Sequence, residues 1–184
     1  RALPGLRDRA LLECLYSTGV RRSELCALTL GDVSLSRGTL LVRQGKGNKD
    51  RLLPVGQRAV YWISRYLDMV RPELLLGIKE QTLFLNDYGE PFRDTKLGDR
   101  VKRYMKHAGI DAKGSCHLLR HACATHMLEN GAELRYLQAM LGHADARATQ
   151  LYTHVSIRKL AEIHALTHPA KLTGREPIDL GEPT

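Results

Sequence analysis

Helical periodicity runs through almost the whole chain and breaks once, between Thr39 and Val55. There the runs TLLVR and DRLLPV flank the segment GKGNK, short apolar stretches around a Gly-rich turn. That pattern predicts two antiparallel strands joined by a hairpin. Elsewhere the apolar spacing is helical. Residues 7–18 place Ala10, Leu11, Cys14, Leu15 and Thr18 on one face, and Gly19 is a natural stop. Ser23 stands where it can cap a second helix through SELCALTL. A third helix runs from Arg58 to Val70, closed by Arg71-Pro72. After the LFLN run and a turn at Tyr88-Gly89-Glu90-Pro91 come a basic helix, about Leu97–Ala108, and helices over His117–Glu129 and Glu133–Leu141. Asp145 caps a further helix through Tyr152, and the pattern resumes over Ile157–Leu166. From Thr167 the Pro, Gly and acidic residues read as a loose tail. The expected fold class is mainly α with a small antiparallel β-sheet.

A chain of 184 residues can bury a core without a disulfide or metal staple. Its four cysteines (Cys14, Cys26, Cys116, Cys123) form no CxxC pair and no secreted framework. No apolar run approaches the ~20 residues of a membrane span, and no signal-peptide core opens the chain. The expected setting is cytoplasmic, away from membranes. The formal charge of +8 suits a polyanionic partner, nucleic acid or an anionic surface, or a basic protein that is merely soluble.

Several polar groups invite chemistry. Gly45-Lys46-Gly47-Asn48-Lys49 lacks the GxxxxGK[ST] pattern of a phosphate loop. It is either an exposed turn or a lysine presented at a hairpin tip. His117 and His121 share a helix face, but without an HExxH glutamate or a second cysteine pair the metal reading is the weaker one. His117 and Arg120, three residues apart, also rise from one face; the pair makes most sense opposite an anion, where guanidinium offers a forked donor. Arg21-Arg22 at a helix start suggests the same. His143 follows a helix-ending glycine, and Tyr152 lies in LYTH.

In chain order, Arg21 in TGVRRSEL, Lys46 in GKGNKDRLLPV, His117 and Arg120 in HLLRHACATH, His143 in LGHADARATQ and Tyr152 in LYTHV form a series. The series resembles the tyrosine recombinase family, nearest its Xer-like and phage-integrase branch, from about Leu6 to about His168. The resemblance implies the catalytic-domain fold of that family and DNA strand exchange that needs no metal or other cofactor. By the same resemblance, Tyr152 is the nucleophile that forms a 3′-phosphotyrosyl bond. Arg21, Arg120 and His143 hold the non-bridging oxygens, and Lys46 protonates the leaving 5′-oxygen. His117 serves the tyrosine as acid or base, and Glu24 orients the site. Double-stranded DNA is the implied partner. Arg22, Lys49 and the basic helix with Arg100, Lys102 and Arg103 are the candidate DNA contacts, the helix being equally readable as a solvated face.

Many relatives carry Pro where this chain has Cys116, a change expected to alter the helix entry slightly. They also carry an N-terminal helical domain that clamps the DNA, whereas this sequence opens directly on the catalytic domain. The expectation is therefore a catalytic domain over 1–168, a flexible tail over 169–184 and no N-terminal core-binding domain. The resemblance implies a homo- or hetero-tetramer on DNA, with the C-terminal helix docking in trans. In isolation that helix either folds back on its own domain or pairs reciprocally. A DNA-binding fragment with little turnover, or type IB topoisomerase-like relaxation, are the alternatives.

Overall fold

Helix α1 (Leu3–Thr18) runs between two others, α3 (Gln57–Met69) and α6 (Cys116–Glu129), and is covered on both sides. The computed structural model of the protein describes residues 3–43, 50–75, 79–111, 114–142 and 157–172. The predicted apolar face of α1, from Ala10 to Thr18, is buried as expected. Its polar face is buried too, because Arg7, Asp8 and Glu13 each find an opposite charge on a neighbouring element.

The second helix is shorter than its sequence suggests. It spans Arg22–Ala27 (α2), since Leu28–Leu30 are drawn out to pair with residues 81–83. The N–H of Leu83 donates to the Leu28 carbonyl at 2.8 Å, and Leu30 N–H to Gln81 at 2.9 Å. Ser23 is not the cap. Glu24 takes that part, its carboxylate accepting the Arg21 N–H at 2.8 Å. A single 3-10 turn (Leu30–Asp32) then leads into a three-stranded antiparallel sheet in the order β1 (Val33–Ser34), β2 (Thr39–Val42), β3 (Arg51–Pro54). Leu40 pairs with Leu53 and Val42 with Arg51, so Leu40, Val42 and Leu53 enter the core. β1 escaped the sequence reading because two residues show no period.

Arg71-Pro72 does not end the helical run: a short helix α4 (Arg71–Leu75) follows α3 at once. Proline is tolerated in a first turn, and buried Arg71 donates to the Thr82 carbonyl at 2.9 Å. α5 (Asp94–His107) starts three residues earlier than predicted, α6 spans Cys116–Glu129, and α7 (Leu134–Leu141) ends at Gly142 as expected. The last described helix, α8 (Ile157–Thr167), folds back on its own domain against β3, α6 and α7. Thr167, His168 and Ala170 are buried, so the chain does not loosen at Thr167. His168 Nε2 donates to the Tyr16 carbonyl at 3.0 Å and fixes this end to α1. The helix expected from Asp145 to Tyr152, and most of the expected tail, lie outside the described residues. Among those described, no helix is long and apolar enough to cross a membrane.

Candidate active site

The site is built where α1 and α7 both end. Gly19, at φ +61°, closes α1 with its N–H on the Leu15 carbonyl, and a Cβ there would stand 2.7 Å from Leu141 Cδ2. Only glycine suits both that conformation and that closeness. Helix ends leave carbonyls without intrahelical donors and carry partial negative charge. Arg120, rising from α6, answers both ends at once: Nη1 donates to the Gly19 carbonyl at 2.5 Å and Nη2 to Leu141 at 2.6 Å. The side chain is only 5 % exposed, yet two of the five N–H groups of a guanidinium satisfy these carbonyls and others remain for a further acceptor.

Arg21 precedes α2, the helix opened by Glu24. Its Nη1 donates to Glu24 Oε1 at 2.9 Å. A second arginine reaches the same carboxylate from β3: Arg51 Nη1 meets Oε1 at 2.9 Å and Nη2 meets Oε2 at 2.7 Å, while Nε donates to the Met140 carbonyl at 3.0 Å. Burial alone would raise the pKa of Glu24, but hydrogen bonds from Arg51 and from the Arg21 N–H outweigh it and hold the carboxyl down to about 2. Burial, then the charges of Arg21 and Arg51, push Arg120 down to about 10. Both directions describe one arrangement, three guanidiniums around one carboxylate, with positive charge in excess.

That excess borders an open cavity of about 430 Å³, lined by Arg21, Arg22, Asp94, Ser115, His117 and Arg120 among others. His117, in the first turn of α6, is exposed and shares the cavity with Arg120, as their spacing predicted. Fixed guanidinium donors beside an accessible imidazole can bind an oxyanion and move a proton next to it.

The residues singled out from the sequence fall into three groups. Arg21, Glu24, His117 and Arg120 converge, with Arg22 at the rim, where its guanidinium is forked onto Asp94 at 2.5 and 2.8 Å. Lys46, Lys49, His143 and Tyr152 lie outside the described residues. The basic helix divides: Lys102 and Arg103 are exposed, whereas Arg100 turns inward onto Asp8 at 3.0 Å and Asp87 at 2.6 Å, with a side chain 19 % exposed. Arg51 and Asp94 were missed. Arg51 sits in an apolar strand run, and no local pattern announces a partner 27 residues earlier.

The phage integrase family model matches residues 3–159. The chain belongs to that family. It is 57% identical over 168 residues to tyrosine recombinase XerC 2 of Ralstonia nicotianae, covering 91% of this chain and 48% of that protein. It is 48% identical over 165 residues to tyrosine recombinase XerD of Yersinia pestis, covering 89% of this chain and 55% of that one. The chain thus spans about half the length of these family members. Among solved structures, XerA recombinase superposes with a TM-score of 0.72 at 36% identity, over 89% of this chain and 58% of that one. XerH bound to its difH substrate before cleavage gives 0.63 at 30% identity, over 85% of this chain and 45% of XerH. The fold, mainly α with one small antiparallel sheet, is that of the tyrosine recombinase catalytic domain.

Proposed function

We propose that this chain is the catalytic domain of a site-specific tyrosine recombinase, cleaving and rejoining duplex DNA through a 3′-phosphotyrosyl intermediate. The observation that carries the reading is the convergence of Arg21, His117 and Arg120 on one cavity, in a chain of this family. In the proposed step the Tyr152 phenol oxygen attacks phosphorus, the bond to the 5′-oxygen breaks, and the DNA strand is left joined by its 3′-phosphate to the tyrosine. The phenol proton passes to His117, and Lys46 gives a proton to the leaving 5′-oxygen. Arg21, Arg120 and His143 face the two non-bridging oxygens as their charge grows. A phenol of ordinary pKa near 10 is a weak nucleophile at neutral pH, so neighbouring cations that favour its anion matter. Attack by a 5′-hydroxyl of another strand reverses the step and completes exchange. The energy of the phosphodiester stays in the covalent bond, so the cycle needs no nucleotide.

Duplex DNA is the partner in this reading, with Arg22, Lys102 and Arg103 as backbone contacts supported by their exposure or their place at the cavity rim. Lys49 belongs with them by its place in the sequence beside Lys46, while Arg100, held by two carboxylates, has the weakest claim. The working form is a homo- or hetero-tetramer on DNA in which α8 leaves its own domain for a neighbour's. Four unpaired cysteines suit a reducing cytoplasm.

Covalent trapping tests the reading. The protein is incubated with nicked duplexes of randomised sequence, denatured in SDS, and the DNA-linked peptide identified by mass spectrometry. An adduct at Tyr152 that disappears in Tyr152→Phe is expected. Salt-sensitive DNA binding without any adduct would instead mark a binding fragment, and relaxed topoisomers without exchanged strands a topoisomerase-like activity.

A further inference from the structure

We propose that Arg51 is a positioning residue of the phosphate site: by occupying both oxygens of Glu24 it keeps that carboxylate from neutralising Arg21, and so holds the Arg21 guanidinium available to the scissile phosphate. The inference rests on reading the cavity as a phosphoryl-transfer site.

Each Arg51 nitrogen is committed. The fork from Nη1 and Nη2 spans the two oxygens of Glu24, and Nε holds the Met140 carbonyl in the last turn of α7. Gly142 backs onto it closely, since a Cβ there would stand 3.4 Å from Arg51 Cδ. Arg51 therefore ties β3 to the start of α2 and the end of α7, the segments that lead to Lys46, Arg21 and His143 in the chain. Glu24 in turn offers Arg21 a single side-chain contact, Nη1 to Oε1, and uses Oε2 on the Arg21 N–H. A carboxylate left alone with an arginine closes a two-bond fork on it. Such a fork at Arg21 would spend the guanidinium on Glu24 before a phosphate arrived. Arg51 takes that place on Glu24. With Arg51, two guanidiniums divide one carboxylate; without it, Arg21 would have that carboxylate to itself. Glu24 in this arrangement is the anchor, Arg51 the hand that holds it, and Arg21 the group released to the substrate.

The test compares adduct formation by the native chain and by Arg51→Gln on two nicked duplexes of the trapped sequence. One carries an ordinary scissile phosphodiester, and the other a methylphosphonate there. The methylphosphonate lacks one non-bridging oxygen and its charge, so a misplaced cation costs it less. On the diester, Arg51→Gln is expected to slow adduct formation by about tenfold to a hundredfold, as a misplaced catalytic group does. On the methylphosphonate the difference should shrink to within about threefold. DNA affinity should stay within about twofold, because Arg51 touches protein groups only. In a Glu24→Gln background, where no carboxylate competes for Arg21, Arg51→Gln should add little. Arg51→Lys gives the same substrate ratio if Arg51→Gln melts below the assay temperature. Equal rates on the diester overturn the proposal, and so does an equal loss on both linkages, the mark of general destabilisation. No adduct from the native chain on either linkage removes the phosphoryl-transfer reading, and this proposal with it, an outcome distinct from a failure of Arg51 alone.

Discussion

Two arginine clusters in this protein use the same side chains to opposite ends. In the first, Arg7 and Arg100 alternate with Asp8 and Asp87 in a closed ring of ion pairs, with separations of 2.9, 2.7, 3.0 and 2.6 Å. Tyr104 adds its hydroxyl to Asp8 at 2.8 Å, and both guanidiniums lie near the Phe92 ring. Two carboxylates balance two guanidiniums, and each ion pairs with both of the opposite sign. In the second, Arg21 and Arg51 share Glu24, Arg120 stands near enough to feel all three charges, and two of the three arginines line a cavity. A buried cation without its own counter-ion is costly, so such a cluster persists where a further anion completes it. Glu13 is a useful third case, because it also serves two arginines, Arg9 and Arg58. Those side chains are 31 % and 25 % exposed, much as Arg21 is at 30 %, but neither lines the cavity that Arg21 and Arg120 border. Excess charge bordering a cavity, rather than arginine count or burial, separates a site from a staple.

The sharpest way to break this comparison is to remove one carboxylate from the balanced ring. Asp8→Ala leaves Arg7, 1 % exposed, with half of its ring partners gone. Truncating one member of a buried ion pair costs roughly 3–5 kcal/mol, and urea unfolding should show a loss of that order. The rate of covalent adduct formation, read well below the melting temperature, should stay near native. A stable Asp8→Ala protein with a slowed reaction would mean that the ring serves catalysis rather than stability.

Arg120→Lys works on the other cluster and should invert the pattern. Lysine keeps the charge but has one point of donation, so it cannot bridge Gly19 and Leu141 and still offer a fork to phosphate. Adduct formation should fall by about 10²–10³, the loss typical of one transition-state donor. DNA binding in a filter or fluorescence assay should change little. A variant that cleaves normally would show that the fork of Arg120 does only structural work at the two helix ends.

What the sequence disclosed follows from which features are local. The helices with strong one-sided patterns, α3, α5 and α7, and the hairpin strands β2 and β3 were legible because period reveals them. So were the stops at Gly19 and Gly142, where a left-handed residue leaves a chemical trace. The truncation of α2 at Ala27 was not legible, because the residues that pull Leu28–Leu30 into extended pairing lie more than fifty positions later. Arg21, Glu24, His117 and Arg120 could be named as a set through family resemblance, and the structure supplies the reason they meet. Arg100 and Arg51 could not be sorted from the sequence. Arg100 stands in a basic helix and Arg51 in an apolar strand run, and only the partners Asp8 and Glu24, far away in the chain, distinguish a staple from a site.

A smaller effect sharpens the comparison through pH, because the far side of the α1 terminus is held by histidines rather than arginines. His164 Nε2 donates to the Ser17 carbonyl at 2.7 Å and His168 Nε2 to Tyr16 at 3.0 Å, while His168 Nδ1 accepts the Ala170 N–H at 3.2 Å. The rings stack with centroids 4.6 Å apart. Burial, then the neighbouring His164, lowers His168 to about 4, and burial lowers His164 as well. Tyr16 from α1, His126 from α6 and Arg58 from α3 complete the surroundings, and none supplies a carboxylate to stabilise a charged ring. The unfolded state therefore binds more protons than the folded one between the ordinary histidine value near 6.5 and about 4. Stability from His168 is fully present above pH 6.5 and declines as pH falls toward 4, by up to about 1.4 kcal/mol per pH unit, and His164 acts in the same direction. Glu24 has the same sign in a lower window: its contribution is present above about 4.5 and is lost as pH falls toward 2. Urea unfolding at pH 7.5, 6.0 and 5.0 should register the histidine side first, with amide exchange rising in α8 before α2. His168→Gln, neutral throughout, should flatten the slope above pH 5 and leave the lower window in place. A native protein equally stable at pH 7.5 and 5.0 would show that the histidines are not held neutral, and that the two sides of the α1 terminus do not differ in the way their side chains imply.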